Sequence, residues 1–396
     1  MTNFPTIRDA PFLKTRIGSF IYFDSTAIAS RDGGNFEFRI SIEGNVCNEP
    51  SMRYNTLGDS DLKVSEICLG TMTYGQQNTL EEAAQQLDYA IAQGVNFIDT
   101  AEMYPVPGRA DTQGSTEDYI GQWLVKQPRD RIILATKVAG PTARFSWIRG
   151  ANRRLDRRNI EQAVEDGLKR LRTDYIDLYQ IHWPDRYVPL FGAPNYDPAH
   201  ERESIPIAKQ LEVFADLIQA GKIRYLGLSN ETTWGVCEFC RLADKLNLPK
   251  VVSIQNAYSL VNRVFEINLA EACRFNQVGL LPYSPLAFGL LTGKYLDGIP
   301  EQSRLGKFPE FGSRYEKPNL QEAVRAYVEI AQRQQLTPAQ LALAFVRSRW
   351  FVASTIIGAT TMEQLKENLS SATIELSDEV LAEIEAVHAR YPSPTP

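Results

Sequence analysis

The 396-residue chain is poor in the side chains from which proteins build metal and redox centres. It contains only three histidines, at positions 182, 200 and 388, and so few scattered imidazoles argue against a multi-histidine metal site. Five cysteines, a small and odd number, favour free thiols in a reducing compartment. Cys237 and Cys240 have the CxxC spacing, but no second pair accompanies them. We therefore interpret both as ordinary, partly buried helix residues.

Long apolar runs and an excess of positive charge are also absent. No stretch approaches the roughly 18 apolar residues of a membrane span, and the apolar residues 20–23 end at Asp24, too early for an export signal. The formal charge of -6 argues against a general nucleic-acid binder. We expect a cytoplasmic protein that acts on a small molecule, without nucleic-acid or membrane partners. The sequence leaves its oligomeric state open.

From residue 66 onward, short apolar runs alternate with amphipathic stretches. The runs are apolar on both faces, which is typical of parallel strands covered on both sides. Helical patterns lie between them, as in residues 79–93, where Thr79 and Glu82 have the spacing of a capping box. The predicted strands are 66–70, 96–100, 131–137, 175–182, 223–229, 251–255, 279–283 and 355–358; further predicted helices are 159–172, 206–220, 319–334 and 338–349. This alternation predicts an α/β fold, a (β/α)8 TIM barrel.

An N-terminal hairpin and long βα loops complete the predicted barrel. Turn residues within 53–65 indicate a hairpin that closes the bottom of the barrel, and the largest loops are 105–115, 183–204 and 296–318. Residues 1–51 do not follow the alternation and carry no chemical motif, although 36–42 alternates like one strand of a hairpin. We predict a dispensable extension over 1–51 and a barrel domain over 52–396.

Charged side chains end three consecutive predicted strands: Asp99, Lys137 and His182 each follow an apolar run. In a barrel, functional side chains lie at the C-terminal ends of the strands and in the loops that follow. A buried lysine is costly unless a carboxylate pairs with it, and Asp99 on the neighbouring strand is the natural partner of Lys137. Tyr104 lies five residues after Asp99. The alternative interpretation is structural: an ion pair that fills the barrel, an ordinary loop tyrosine and a core histidine.

Together, these four side chains have a coherent chemistry. A phenol with a pKa of about 10 is a poor acid at neutral pH. The ammonium of Lys137 is expected to lower the pKa of Tyr104, while Asp99 holds that ammonium charged and in place. His182 would orient a carbonyl oxygen or share the proton. The four residues are therefore expected to protonate a carbonyl without a metal.

The motifs around these residues resemble those of the aldo-keto reductases. They are Gly70-Thr-Met72, Gly94-Val-Asn-Phe-Ile-Asp99-Thr-Ala-Glu-Met-Tyr104, Ala135-Thr-Lys137, Asp177-Leu-Tyr-Gln-Ile-His182, Gly221-Lys-Ile-Arg-Tyr-Leu-Gly-Leu-Ser229-Asn230, Gln255-Asn256, Pro282-Tyr-Ser-Pro285-Leu and Ile357-Gly-Ala-Thr360. The match extends over residues 52–390, in order and at barrel spacing. The stretches 101–107 and 112–117 look closest to the bacterial Tas-like, NADP(H)-dependent branch, to which the cytosolic β subunits of potassium channels are related.

The resemblance implies an oxidoreductase that reduces aldehydes or ketones by hydride transfer from NADP(H). It places the family's catalytic tetrad on Asp99, Tyr104, Lys137 and His182, with Tyr104 as the proton donor. A nicotinamide dinucleotide would lie across the barrel mouth. The residues implied to bind it are Ser229, Asn230 and Gln255 at the carboxamide, Tyr283 against the ring, Ser284, Pro285, Leu286, Ala287, Phe288, Gly289, Leu290, Leu291, Thr292, Gly293, Lys294 and Tyr295 around the pyrophosphate, and Gly358, Ala359, Thr360, Gln364, Glu367 and Asn368 at the 2′-phosphate and adenine end.

One segment departs from the family pattern, in which many members place a basic residue near the 2′-phosphate. Thr360, Thr361 and Gln364 are neutral here. Related branches with glutamine at this point use NADP(H), which we keep as the predicted cofactor.

The long loops 105–115 and 183–204 are predicted to form the substrate pocket, and the aromatic residues of the second loop favour an apolar or aromatic carbonyl compound. These aromatic residues are Trp183, Tyr187, Phe191 and Tyr196. Two alternatives stay open at this stage. One is a nucleotide-binding regulatory subunit with slow turnover, like the channel β subunits, which would share the tetrad. The other is a metal-dependent barrel hydrolase, against which the scattered histidines argue.

Overall fold

The computed structural model describes residues 52–150, 153–193, 195–309 and 312–395. The predicted extension over 1–51, with its alternating residues 36–42, lies outside the described residues. Its dispensability and the domain boundary at residue 52 therefore stay predictions.

Two short antiparallel strands begin the described chain. β1 (Tyr54–Thr56) pairs with β2 (Lys63–Ser65), so that Tyr54 lies opposite Ser65. Between them Gly58 has a φ of +53°, and a Cβ there would lie 2.0 Å from the carbonyl oxygen of Val252. Only glycine allows that approach, because any side chain would overlap the backbone. The hairpin predicted over 53–65 is confirmed, and its turn packs directly against the barrel.

Eight parallel strands form the barrel, paired in chain order with the last strand beside the first. They are β3 (Ile67–Gly70), β4 (Phe97–Asp99), β5 (Ile133–Val138), β6 (Ile176–Ile181), β7 (Ile223–Ser229), β8 (Val251–Gln255), β9 (Gly279–Leu280) and β10 (Thr355–Ile357). Backbone bonds from Leu280 N to Phe351 O (3.0 Å) and from Ile356 N to Pro282 O (3.1 Å) join the two remaining edges. The predicted (β/α)8 architecture is confirmed.

The seventh barrel strand is shorter than the predicted 279–283. Its ladder ends at Leu280, and Pro282 has no amide hydrogen to extend it. The predicted strand 131–137 likewise begins only at Ile133, because Arg129–Arg131 forms a 3-10 turn.

Helices cover the outside of the barrel. Within the described ranges they are α1 (Leu80–Ala92), α2 (Ser115–Leu124), α3 (Arg157–Leu171), α4 (Ile207–Gln219), α5 (Thr233–Leu246), α6 (Leu269–Asn276), α7 (Arg304–Lys307), α8 (Leu320–Arg333), α9 (Pro338–Arg347), α10 (Met362–Ser370) and α11 (Asp378–Arg390). The capping box predicted at Thr79 and Glu82 is present at the start of α1. Its two reciprocal bonds satisfy backbone groups that the first helical turn cannot pair.

Cys237 and Cys240 lie on α5, the first exposed and the second buried, and neither is in a disulfide. In the part of the chain that the structure describes, no group of three or more His, Cys, Asp or Glu side chains could hold a metal ion. A search of the same residues finds no helix that is both long enough and apolar enough to span a membrane.

Candidate active site

A cavity of about 1210 Å³ opens at the C-terminal ends of the barrel strands. Asp99, Tyr104 and His182 line it, while Lys137 lies fully buried just beneath. Asp99 ends β4, Lys137 lies near the end of β5, and His182 directly follows β6. The structure therefore brings the four predicted residues together, because neighbouring parallel strands end at the same rim.

Lys137 and Asp99 form an ion pair inside the barrel, with 2.6 Å between Nζ and Oδ2. Lys137 also donates to the carbonyl oxygen of Thr100 at 2.8 Å. The second oxygen of Asp99 accepts hydrogen bonds from the side-chain amides of Gln180 and Gln255, both at 2.9 Å. A buried carboxylate needs such partners on both oxygens. Gln180 was not predicted as a site residue. It lies two residues before His182, and because alternate residues of an extended chain face the same side, its side chain points into the barrel.

The charge state of the pair follows from these contacts. Burial lowers the pKa of Lys137, but Asp99 and Tyr104 raise it, and the net direction is upward. Lys137 therefore remains an ammonium at neutral pH. Burial, together with the charge of Lys137, lowers the pKa of His182 well below its usual value, so the imidazole is neutral.

Tyr104 is held between the ammonium and the imidazole. The Nζ atom of Lys137 lies 4.9 Å from the centre of the Tyr104 ring, and the rings of Tyr104 and His182 meet edge to face at 5.8 Å. Burial raises the pKa of Tyr104, and Lys137 lowers it by a smaller amount, so the net direction is upward. The predicted effect of the ammonium is present, but the predicted net lowering is wrong because desolvation of the phenol outweighs it.

A second buried ion pair fixes the loop that carries Tyr104. The Glu102 carboxylate accepts hydrogen bonds from the backbone amide of Ala139 and from Arg149, which also donates to the Ala139 carbonyl at 3.2 Å. The neighbouring Arg153 is buried and donates to four carbonyl oxygens of the loop after β5, those of Gly140, Thr142, Phe145 and Ile148. Arg149 therefore joins the loops after β4 and β5, and Arg153 holds the loop after β5 in its fold. Sequence reasoning missed both of them, because they lie in a loop without periodicity.

The four residues implied for the nicotinamide end all line the cavity. Ser229 Oγ donates to the Gln255 carbonyl at 2.8 Å, and the Asn230 side chain donates to the His182 carbonyl at 2.9 Å. Tyr283 donates to the Asn230 side-chain oxygen at 2.7 Å, and burial raises its pKa to about 12. The Gln255 amide nitrogen already contacts Asp99, as well as Gln180 at 3.0 Å. The side-chain amide nitrogen of Gln255 thus donates both of its hydrogens inside the barrel.

Only part of the implied pyrophosphate segment 284–295 reaches the cavity. Seven of its residues line it: Ser284, Pro285, Leu286, Phe288, Gly289, Thr292 and Lys294. The other five do not: Ala287, Leu290, Leu291 and Tyr295 are buried in the core, and Gly293 lies outside the lining. The segment Ala287–Thr292 is not a regular helix: short 3-10 turns are separated by a kink at Phe288 and Gly289, and some of its side chains pack in the core while others face the cavity.

Backbone strain is concentrated in this same segment. Phe288 has a φ of +63° and Gly289 a φ of +94°, and phenylalanine rarely adopts the left-handed conformation. Strain of this kind persists where the surrounding structure enforces it, commonly at ligand sites.

At the far end of the cavity, the implied adenine-side residues all line the wall, namely Gly358, Ala359, Thr360, Gln364, Glu367 and Asn368. Thr361 caps α10, and its side chain accepts from the backbone amide of Gln364. The Gln364 side-chain oxygen accepts in turn from the amide of Thr360 at 3.0 Å. The side chains of Thr361 and Gln364 therefore fix the start of α10, and this start lies next to the cavity.

Basic side chains that were not predicted also line the cavity: Arg144, Arg186, Arg202, Arg304, Lys307 and Arg314. They lie on the long loops after β5, β6 and β9. Arg304 lies over the Phe288 ring, with its guanidinium carbon 4.6 Å from the ring centre, and burial lowers its pKa. A single arginine in a loop has no sequence pattern that marks it as a site residue. Only the length of these loops could therefore have suggested that they contribute to the cavity.

Three of the four aromatic residues predicted for the substrate pocket, Trp183, Tyr187 and Phe191, line the cavity. Tyr196 does not: it is 51% exposed, and its hydroxyl donates to Glu201 at 2.7 Å. Its ring packs on the outer side of Tyr187 at 5.3 Å, so it supports the wall from outside.

Comparison with known proteins agrees with this geometry. The model of the Aldo/keto reductase family matches residues 66–389. The chain is 52% identical over 347 residues to "Protein tas" of Escherichia coli, covering 87% of this chain and 100% of that protein. It is 33% identical to "Uncharacterized oxidoreductase YrpG" of Bacillus subtilis over 83% of this chain and 94% of that protein. It is 32% identical to "Putative voltage-gated potassium channel subunit beta" of Schizosaccharomyces pombe over 84% of this chain and 92% of that protein. The chain therefore belongs to the aldo/keto reductase family and, as the sequence indicated, is similar to its Tas-like members.

Proposed function

We propose that this protein is an NADP(H)-dependent reductase of aldehydes and ketones, with Tyr104 as the proton donor. The observation that carries this proposal is the convergence of Tyr104, the Lys137–Asp99 ion pair and His182 at one wall of a deep cavity. Convergent polar groups at the C-terminal rim of a barrel are typical of an active site.

The cavity fits a dinucleotide together with a substrate. Its volume of about 1210 Å³ exceeds the roughly 1,000 Å³ at the upper end of ordinary ligand pockets. Lys294, Arg304 and Lys307 line the side beyond β9, where cations suit phosphate groups. The basic residues Arg304 and Lys307 offer a partner for a 2′-phosphate that the neutral Thr360 and Gln364 do not. This supports NADP(H) over NAD(H).

In the proposed reaction, each of the four residues has a separate role beside the bound cofactor. A bound NADPH supplies the hydride and is itself oxidised to NADP+, while the carbonyl carbon is reduced. Tyr104 gives its proton to the carbonyl oxygen, and the nearby ammonium of Lys137 stabilises the phenolate that remains. Asp99 keeps that ammonium charged and in place. The neutral His182 can hydrogen-bond the carbonyl oxygen and orient it toward Tyr104.

A matched pair of variants tests this proposal. We expect purified protein to bind NADPH in a fluorescence titration, to bind NADH more weakly, and to reduce simple aldehydes. Tyr104→Phe should lose about 10²- to 10⁴-fold in kcat, the contribution of a general acid, and should keep its NADPH Kd. Tyr225→Phe, whose hydroxyl contacts Asp61 outside the cavity, is the control and should behave like the parent. Parental activity in Tyr104→Phe would contradict the proton-donor assignment.

A regulatory role is the second candidate, since one relative is named as a putative potassium-channel β subunit. The two candidates differ in turnover. A kcat far below about 1 s⁻¹ with every aldehyde tested, together with tight NADPH binding, would favour a regulatory subunit. Turnover within the ordinary enzyme range favours the reductase.

A further inference from the structure

The strand order divides the mouth of the barrel into two sides. In the closed sheet β5 lies four positions from β9, and β6 lies four positions from β10, so the loops after these pairs face each other across the mouth. The loops after β9 and β10 carry Lys294, Arg304 and Thr360, which we assign to the phosphates of the cofactor. The loops after β5 and β6, together with the loop after β4 that carries Tyr104, line the other side and are placed to contact a substrate.

An apolar wall lies on this substrate side. The ring of Trp183 packs against His182 at 4.8 Å, and its indole nitrogen donates to the Pro141 carbonyl at 3.2 Å, which ties the two loops together. Phe145 and Leu190 line the cavity beside it. This wall is continuous with the reacting group, so it fits the apolar body of a carbonyl compound.

Three arginines on the same two loops line the cavity: Arg144, Arg186 and Arg202. The two terminal nitrogens of Arg186 each donate to one carboxylate oxygen of Glu231, at 2.9 and 2.5 Å, so the charge of Arg186 is neutralised by an ion pair. Arg202 donates instead to the carbonyl oxygen of Asp185, at 3.2 and 2.9 Å, and no ion pair to it is found among residues of the described ranges. Its positive charge therefore remains available at the cavity rim.

Negative charge is scarce on this side. Among the described lining residues, the carboxylates are Asp99 and Glu367. Asp99 is neutralised by Lys137, and Glu367 lies on α10, across the mouth. Cations that line a cleft with apolar walls raise the local concentration of anions.

We propose that the substrate is an anionic carbonyl compound, with an apolar or aromatic body against Trp183 and Phe145 and a carboxylate that binds Arg202. This inference rests on the proposed reductase function and adds its substrate class. Arginine suits a carboxylate because its planar fork matches the two oxygens.

The first experiment compares three aldehydes that share the benzaldehyde skeleton and differ in the charge of the para substituent: benzaldehyde, 4-carboxybenzaldehyde and 4-(trimethylammonio)benzaldehyde. We expect kcat/KM with NADPH to be about tenfold higher for the carboxylate than for benzaldehyde, and lower for the cation. The advantage should shrink between about 0.01 M and 1 M salt, because the Debye length falls from about 30 Å to about 3 Å.

Charge-removing variants locate the effect. Arg202→Gln should lower kcat/KM for 4-carboxybenzaldehyde several-fold, leave that for benzaldehyde unchanged and keep the NADPH Kd. Arg158→Gln, on the exposed surface of α3, is the matched control and should change none of these values. Calorimetry can measure the Kd of 4-carboxybenzyl alcohol and of benzyl alcohol for the complex with NADP+. The ratio of these two Kd values tests the preference for a carboxylate without any turnover.

The possible results separate the two claims. If NADPH binds and benzaldehyde is reduced, but the carboxylate has no advantage or Arg202→Gln slows both aldehydes equally, the anionic substrate is refuted and the reductase function stands. If NADPH does not bind and none of the aldehydes is reduced, the proposed function itself fails. A carboxylate advantage that disappears in Arg202→Gln and persists in Arg158→Gln supports the inference.

Discussion

The buried pair of Lys137 and Asp99 makes the sharpest prediction. Lys137→Met removes the ammonium and keeps a side chain of similar length. The carboxylate of Asp99, only 3% exposed, then loses its ionic partner. Removing one member of a buried ion pair typically costs about 3 to 5 kcal/mol of folding free energy. We expect a value near the lower end, about 3 kcal/mol, since Gln180 and Gln255 still donate to Asp99.

The same substitution should also slow the reaction. Tyr104 would lose the cation that lies 4.9 Å from its ring and lowers its pKa, and burial alone would raise that pKa further. The phenolate left after proton transfer would then have no nearby positive charge. We expect kcat to fall within the range of about 10²- to 10⁴-fold that a general acid contributes.

A double variant separates stability from catalysis. In Asp99→Asn/Lys137→Met both charges are gone, and the asparagine oxygen can still accept from Gln180 and Gln255. Urea unfolding should show that the double variant recovers most of the lost free energy, whereas NADPH-dependent aldehyde reduction stays as slow as in Lys137→Met. Parental kcat in Lys137→Met would refute the role of the ammonium. Parental stability in that variant would refute the cost assigned to the unpaired carboxylate.

Two further predictions concern the pH profile and the N-terminal segment. Because the pKa of Tyr104 is raised, its phenol stays protonated at neutral pH. The value of kcat for reduction should therefore be constant from about pH 6 to about pH 9, and it should fall as the pH rises through the raised pKa of Tyr104. The pKa of His182 is lowered, so it should add no step in that range, and a decline of kcat between about pH 6 and about pH 9 would contradict this assignment. Deleting residues 1–51, which precede the family match at 66–389, should leave the NADPH Kd and the midpoint of thermal unfolding unchanged. A large fall in that midpoint would show that the segment stabilises the barrel.

The sequence predicted regular elements well and irregular ones poorly. All eight barrel strands and the α1 capping box follow from hydrophobic periodicity and local chemistry. The strand predicted over 279–283 was too long, because the apolar pattern continues where Pro282 stops the ladder. In the segment 284–295 the resemblance implied a wrap around the pyrophosphate, and only the structure shows which of its side chains, among them Leu290 and Leu291, pack in the core.

The sequence by itself determined the positions of Asp99, Tyr104, Lys137 and His182 at one rim. Parallel strands that each end in a polar residue must bring those residues together once the sheet closes. The tertiary structure decided their electrostatics. The net direction of the Tyr104 pKa depends on how completely packing removes water from the phenol. The arginines at the substrate side come from loops whose course only long-range contacts fix, so local sequence could place them in a loop but not at the cavity.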